Sequence, residues 1–166
     1  MKVSIIAAIS ENYAIGKNNQ LLWKLSADMQ LFKRLTTGHH VIMGRKTFDS
    51  MGARPLPNRT NVIISRHLDY HVENCEAAIS LAEALSIANQ NGEEEAFIIG
   101  GGEIYRLGMY LADVLYITHV HAHLEGDTFF PAIDFDVWEL AEKESFQQDE
   151  KNQYNFDFCV YKRKSN

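Results

Sequence analysis

The chain of 166 residues holds only two cysteines, Cys75 and Cys159, and no CxxC pair. That excludes a disulfide framework and a thiolate metal site, and it suits a reducing compartment. No apolar run approaches the length of a membrane span. The opening Met1–Ala8 is apolar for too short a stretch to be a signal peptide, and Asn12, Lys17 and Asn18 follow without a cleavage-like site. The cytoplasm is therefore the expected compartment. Positive charge is also scarce: 16 Lys and Arg face 22 Asp and Glu, a net charge of −6. A general electrostatic grip on nucleic acid is not expected, and an anionic ligand would need a local basic patch. Internal repeats, low-complexity tracts and linkers are missing, so one domain is expected.

What the chain does have is short blocks of apolar, β-branched sequence. Val3–Ile9, Val41–Met43 and Asn61–Ser65 read as strands, and Ala96–Ile99 is a fourth that runs into three glycines. Such continuous runs are the habit of strands buried on both faces, as in parallel sheets. Helical patterns lie between them. Ser26 opens one, with Leu31, Phe32 and Leu35 at helical spacing. Ser80-Leu81-Ala82-Glu83 is a capping-box start for a second, reaching about Asn89, and Glu103–Leu111 is a third. Strand alternating with helix predicts an α/β fold with right-handed crossovers. The last third changes character. Leu115–Leu124, Trp138–Phe146 and Tyr154–Lys162 alternate apolar and polar residues, with Gln148–Asn152 as a polar turn. These read as antiparallel strands added at the sheet edge.

Four constellations bear on chemistry. Asp28 shares a helix face with Leu31, Phe32 and Leu35, at i+3, i+4 and i+7. It is either an exposed acid in a first helical turn or a buried carboxylate that a cationic or amide-like ligand edge would partner. Val41-Ile42-Met43-Gly44-Arg45-Lys46-Thr47 carries a buried strand into a helix start with two cations and a hydroxyl. It is a phosphate site or a plain strand-to-helix turn. It is not a P-loop, because Gly38 lies one residue too far from Gly44. Phe97-Ile98-Ile99-Gly100-Gly101-Gly102-Glu103-Ile104-Tyr105 places three glycines between strand and helix, a plain glycine-rich turn or, as the carboxyl end of a buried strand favours, a place where a ligand approaches the backbone. It lacks the GxGxxG spacing of a Rossmann fingerprint. His119, His121 and His123 alternate along one strand face, with Thr118, Val120, Ala122 and Leu124 opposite on the core side. They read as solvated, with a metal site as the alternative. His39 and His40 read as a solvated loop pair. Arg59, after the rigid Pro55-Leu56-Pro57-Asn58 turn, and Ser65-Arg66, at a strand end, are either ordinary surface residues, the commoner case, or anion contacts.

Taken in order, these pieces resemble the dihydrofolate reductase family. The matching residues are Ile6-Ala7-Ala8, Ile15-Gly16, Leu21-Leu22-Trp23, Asp28 with Phe32, Val41 to Thr47, Pro55-Leu56-Pro57 with Arg59, Ile99-Gly100-Gly101-Gly102, Thr118-His119 and Gly126-Asp127-Thr128. The resemblance implies a single α/β domain with a central, mostly parallel eight-stranded sheet, four flanking helices and antiparallel C-terminal strands. It implies NADPH across the carboxyl ends of the strands and dihydrofolate in a cleft beside it, with a segment of about 39–89 forming an adenosine-binding subdomain.

Asp28 would pair with the 2-amino group and N3 of the pterin, steadied by Thr118. Trp23 and Leu21 would complete the catalytic group. Ile6, Ala7, Met29, Phe32, Met51 and Ile99 would line the substrate pocket, and Arg59 would hold the glutamate α-carboxylate. Gly44, Arg45, Lys46 and Thr47 would meet cofactor phosphates, and Ser65 with Arg66 the 2′-phosphate. Ala8, Ile15, Gly16, Ile99, Gly100, Gly101, Gly102, Glu103, Ile104 and Tyr105 complete the implied cofactor contacts. No metal is implied. The segment Ser10–Lys24 would be a loop that closes over the nicotinamide. The family often has proline where this chain has Leu22 and Ser26, and glycine where it has Asn58. Ser26 would supply an N-cap instead, and Asn58 would tolerate a left-handed backbone.

The resemblance also implies a monomer acting on a small molecule, without nucleic acid or membrane. Three rivals remain. One is a metal-dependent hydrolase built on His119, His121 and His123. Another is a non-catalytic nucleotide-binding module, which would not need Asp28. The third is a riboflavin-pathway reductase, disfavoured by Trp23, Asp28 and Arg59 occurring together.

Overall fold

The computed structural model describes residues 1–18 and 20–165. The first half of the chain forms β1 (Lys2–Ile9), β2 (Ala14–Gly16), α1 (Ser26–Thr36), β3 (His40–Gly44), α2 (Arg45–Ser50), β4 (Thr60–Ile64) and β5 (Glu76–Ala78). The second half forms α3 (Leu81–Gln90), β6 (Glu95–Gly100), α4 (Gly102–Gly108), β7 (Val114–Val120), β8 (Thr128–Phe129), β9 (Trp138–Phe146) and β10 (Phe156–Arg163). The strands other than β2 and β8 join one sheet of order β5-β4-β3-β6-β1-β7-β10-β9, and β2 pairs with β8 apart from it.

The pairings from β5 to β7 are all parallel, and β10 runs antiparallel to both β7 and β9. The segment from Leu115 is thus not an antiparallel addition, because β7 lies parallel to β1. It also stops at Val120 rather than Leu124, where the His121 N–H turns to the Asn155 carbonyl.

Burial on both faces explains the unbroken apolar runs. Alternate residues of each strand feed two cores. On one face Ile5, Ile9, Ile42, Val62, Ile98, Leu115 and Ile117 pack with Leu81, Ala84 and Ala88 of α3 and Tyr105 of α4. On the other, Ile6, Val41, Met43, Ile63, Phe97 and Ile99 pack with Phe48 of α2 and with Phe32 and Leu35 of α1. Each fully buried Ile or Phe contributes about 1.5–3 kcal/mol, so these two layers dominate stability. A third, smaller cluster of Trp23, Leu25, Val120 and Phe156 closes the end beside α1.

The cap of α3 follows the sequence reading: the Ser80 hydroxyl accepts from the Glu83 N–H at 3.1 Å. The start of α1 does not. Leu25 is the N-cap, Ser26 is already helical, and no side chain of the helix caps it. The helix after the three glycines is shorter than expected, ending at Gly108. Asn58 does take a left-handed backbone, with φ 61°.

Candidate active site

Parallel strands bring their carboxyl ends to one side of a sheet, and ligand crevices form there, at the point where strand order reverses. That reversal lies around β6 and β1, which sit between β3 on one side and β7 on the other. α1 crosses the sheet with Leu31 buried and with Phe32 and Leu35 partly buried against the Ile6, Phe97 and Ile99 layer. Asp28 lies one turn earlier on that face. Its Oδ1 accepts from the Thr118 hydroxyl at 2.5 Å, and Thr118 is itself buried on β7. Burial pushes the Asp28 carboxyl above the usual carboxylate range, against the Thr118 bond, which lowers it. The inward reading of Asp28 therefore holds. Among the described residues it is a carboxylate with one protein donor, beside an apolar wall.

The other implied substrate residues distribute around it. Ile6 and Ile99 belong to the α1 side of the sheet, whereas Ala7 packs in the layer on the other face. Met29 and Met51 are exposed by 58% and 37%. Trp23 is buried beside Leu25, and Leu21, the residue joined with it in the catalytic group, is 70% exposed. Arg59 sits at the rim with its guanidinium 5.9 Å from the centre of the Phe32 ring. Its Nε donates to the Pro57 carbonyl at 2.9 Å and one terminal nitrogen to the Thr36 hydroxyl at 3.1 Å. Among the described residues no carboxylate pairs with it, so part of its fork stays free for an anion.

A second group gathers at the ends of β3, β4 and β6. Gly44 leads into α2 with Arg45, Lys46 and Thr47, and Gly101 leads into α4. A Cβ on Gly101 would lie 3.0 Å from the Thr47 hydroxyl and crowd it, so glycine keeps the gap between the two helix starts open. A hydroxyl and bare backbone in one gap, beside a helix start that carries Arg45 and Lys46, fit the diphosphate of a dinucleotide. Ser65 and Arg66 follow β4, and Arg66 pairs with Glu103 of α4 at 3.2 Å across the exposed rim. A cavity of about 240 Å³, lined by Ser65, His67, Tyr70, Ala78, Ile79 and Glu83, lies beside them. Ile104 packs against this region, its Cγ1 3.5 Å from where a Cβ on Gly44 would lie. Tyr105 is turned inward: its buried hydroxyl lies 2.9 Å from the Ile6 carbonyl and 2.7 Å from that of Ile99. The phenol is spent on the backbone of β1 and β6, and only its ring remains for a ligand.

The segment after β1 is held against the chain from Ala122 to Phe129. Ala14 and Gly16 of β2 pair with Phe129 and Thr128 of β8. The Asn18 N–H donates to an Asp127 oxygen at 2.8 Å, and the Asp127 N–H to the Gly16 carbonyl at 3.0 Å. Asn12 donates to the Leu124 carbonyl at 2.8 Å. A Cβ on Gly126 would lie 2.7 Å from that of Ala14 and 2.9 Å from the Gly16 carbonyl, so a side chain there would push the two segments apart. Ile15 packs partly buried on the α3 and α4 layer. Ala8 borders the Trp23 cluster. Asn19, in the same Ser10–Lys24 stretch, lies outside the described residues.

Two sequence readings need correction, and one residue was overlooked. His119 is half-buried rather than solvated, with Nε2 2.8 Å from the Tyr161 hydroxyl, and His121 pairs with Asp157 at 3.0 Å. Among the described residues no three His, Cys, Asp or Glu side chains are placed to hold a metal. His39 and His40 are not a solvated pair either, since both rings bond to Glu93 at the opposite end of the sheet. The overlooked residue is Asn152, whose side chain meets the start of α1. A polar residue in a polar turn gave no sign of that long-range contact.

Comparison with known proteins agrees with this geometry. The family model for dihydrofolate reductase matches residues 2–163. A dihydrofolate reductase of Bacillus subtilis is 43% identical over 163 residues, covering 98% of this chain and 95% of its own. One from Neisseria meningitidis is 47% identical over 143 residues, 86% of this chain and 87% of its own. Among solved structures, a dihydrofolate reductase from Enterococcus faecalis complexed with NADP(H) and RAB-propyl superposes with a TM-score of 0.92 at 38% identity, covering 99% of this chain and 97% of that one. With sequence and fold matched over nearly its whole length, the chain belongs to the dihydrofolate reductase family.

Proposed function

We propose that this chain performs its family's reaction, the NADPH-dependent reduction of 7,8-dihydrofolate to 5,6,7,8-tetrahydrofolate, with Asp28 as the group that holds the pterin. The observation that carries the reading is the inward Asp28 carboxylate, short of protein partners at the carboxyl end of the sheet. NADPH, when bound, would supply the hydride for pterin C6, and a water admitted beneath the Ser10–Lys24 stretch would give N5 its proton. Asp28 accepts from the pterin 2-amino group and N3 and favours the protonated ring, while Thr118 fixes its orientation. Phe32, Met29 and Met51 flank the substrate, Ile6 and Ile99 floor its pocket with only the backbone of Ala7 in reach, and Arg59 takes the α-carboxylate of the tail in its free fork. The stretch from Ser10 to Lys24, with Leu21 and Trp23, covers the reacting rings and excludes bulk water. Arg45, Lys46 and Thr47, with the bare backbone at Gly101 and Gly102, hold the diphosphate. Ser65 and Arg66 hold the 2′-phosphate, and residues of about 39–89 form the adenosine side.

The same reading makes the protein a cytoplasmic monomer. The two cysteines, both free, and the net charge of −6 support a reducing compartment and no general nucleic-acid partner. Among the described residues no helix is long and apolar enough to cross a membrane. Sedimentation at working concentration checks the monomer. The activity is tested by NADPH oxidation with dihydrofolate for the wild type and for Asp28→Asn. Turnover by the wild type, lost in a variant that still binds NADPH, is the expected result. A wild type that binds NADPH but leaves dihydrofolate untouched sinks the substrate assignment and sends the search to riboflavin-pathway substrates.

A further inference from the structure

Helix α1 begins without a cap of its own. Leu25, at the N-cap position, has no side-chain oxygen to offer. Asp28 is the first-turn acid that would ordinarily favour the helix start, yet its carboxylate is turned to Thr118 instead. The missing acceptors come from the loop between β9 and β10. Asn152 Oδ1 accepts from the Ala27 N–H at 3.0 Å, and the Lys151 carbonyl accepts from the Ser26 N–H at 3.1 Å. Leu25 and Asn152 form an isolated antiparallel bridge, and Lys24 and Gln153 exchange two further hydrogen bonds of 3.1 and 3.0 Å.

Asn152 is set for this contact. It is only 7% exposed, and its other amide end donates to Asp149 Oδ1 at 2.9 Å, which turns the oxygen toward the helix. The same Asp149 oxygen accepts from the backbone N–H groups of Lys151 and Asn152, at 2.8 Å each. The loop closes the β9–β10 hairpin, and β10 is bonded along β7, the strand of Thr118. Asp28 is thus tied to one block of sheet from two sides.

We propose that Asn152 is a positioning residue for the reaction: it supplies from outside the cap that α1 lacks, and so leaves the Asp28 carboxylate free to face the ligand. This rests on the role given to Asp28 above. An amide suits the place. Asn, Asp and Ser all cap, but only the amide accepts from the helix at one end while donating to Asp149 at the other, where an Asp would set two carboxylates together. Tyr105, kept neutral by burial, interacts with Asp28, and the loop brings Asp149, bonded to Asn152, and Lys151 to the start of α1.

The test compares Asn152→Ala, Asn152→Ser and Asn152→Asp in the full chain. One readout is kcat and KM for dihydrofolate beside the Kd for NADPH. The other is the titration of the Asp28 carboxyl by ¹³C NMR in the ligand-free protein, which needs no turnover. Asn152→Ala is expected to lower kcat/KM for dihydrofolate about tenfold through misplacement of Asp28, with NADPH binding within about twofold of wild type. Asn152→Ser retains activity within about threefold, because serine also caps. Asn152→Asp turns the donor to Asp149 into a like charge and adds negative charge beside the start of α1, which moves the Asp28 titration to higher pH. Loss of Tm alone in Asn152→Ala, with kcat, KM and the Asp28 titration unmoved, makes Asn152 a mere loop anchor and overturns the proposal. If that variant does not fold, an unmoved Asp28 titration in Asn152→Asp overturns it equally. A wild type inactive on dihydrofolate defeats the functional reading instead, and the titration then decides the role of Asn152 by itself.

Discussion

Asp28 and Glu93 sit at opposite ends of the sheet, and the protein treats the two carboxylates in opposite ways. Glu93 lies in the turn before β6, at the amino ends of the strands, with its side chain 7% exposed. Its oxygens accept from the His40 backbone N–H, and from the N–H groups of Glu94 and Glu95 at 3.0 and 3.4 Å. They also meet the Nδ1 atoms of His40 and His39, at 2.9 and 3.0 Å. Burial by itself would raise the Glu93 carboxyl, but these bonds overcome it and hold the group down at about 2. Asp28 has the Thr118 hydroxyl, and there burial wins. A carboxylate that the fold satisfies is spent on holding the fold. One that the fold desolvates and leaves short of donors is kept ready for donors from a ligand.

Replacing each carboxylate by its uncharged counterpart should separate these roles. The largest effect is expected on activity: Asp28→Asn lowers kcat/KM for dihydrofolate by about 100-fold or more, the scale for losing a preorganised charge in a dry site. Glu93→Gln leaves kcat and KM within about threefold. Steady-state kinetics on both decides the matter, and comparable losses in the two would erase the distinction.

Stability should respond the other way. Glu93→Ala strands the His39 and His40 donors and is expected to cost roughly 2–4 kcal/mol, about 5–12 °C in Tm for a chain of this size. Because the folded carboxyl lies below its ordinary 4.5, this stabilisation is fully present above that pH and disappears as pH falls toward about 2. Melting curves of wild type and variant should therefore converge through that acid window. A difference that stayed constant with pH would point to packing rather than charge.

The two sites also differ in how far the sequence foretold them. The face that carries Asp28 repeats at helical spacing within one turn or two, so local periodicity offered the inward placement beside an exposed one, and the family resemblance favoured the inward. The apolar runs of β1, β3, β4 and β6 announced strands buried on both sides, and Ser80 and Glu83 announced their own cap. Glu93 and its histidines are separated by more than fifty positions of chain, and nothing local links them. The same holds for Asn152, which meets α1 across 125 positions. Ser26 looked like a cap only because capping residues are common at helix starts. The acceptors that a distant hairpin delivers to that start are written in no nearby residue. Alternation in Leu115–Leu124 suggested an antiparallel edge strand, but β10 and β9 extend the sheet beyond it. β7 is therefore internal and free to pair in parallel with β1.

A smaller effect should appear in Asp28→Asn once ligands are removed. The raised Asp28 carboxyl means that ionisation works against the fold: its contribution is undisturbed below pH 3.8 and is lost as pH rises through the folded value. An asparagine cannot ionise and can still accept from Thr118. Ligand-free Asp28→Asn is thus expected to be more stable than wild type at neutral pH by on the order of 1 kcal/mol, about 2–4 °C in Tm. The gain should vanish in acid. A variant less stable than wild type at pH 7 would mean that Asp28 is satisfied by the fold after all, as Glu93 is.

The smallest expected effect concerns Thr118, the donor that separates Asp28 from complete isolation. Valine has nearly the same shape and packs in the same buried site on β7, so Thr118→Val removes the hydroxyl with little else disturbed. That hydroxyl lowers the Asp28 carboxyl against burial, and without it the group should titrate still higher. At neutral pH the loss in kcat/KM should be modest, about two- to threefold, because the pterin edge brings donors of its own. Toward acid the loss should widen, since a larger share of Asp28 is then protonated before substrate arrives. The pH dependence of kcat/KM, set beside that of the wild type, measures this directly. Superposed profiles would mean that Thr118 orients the carboxylate without stabilising its charge, and the contrast with Glu93 would then rest on burial alone.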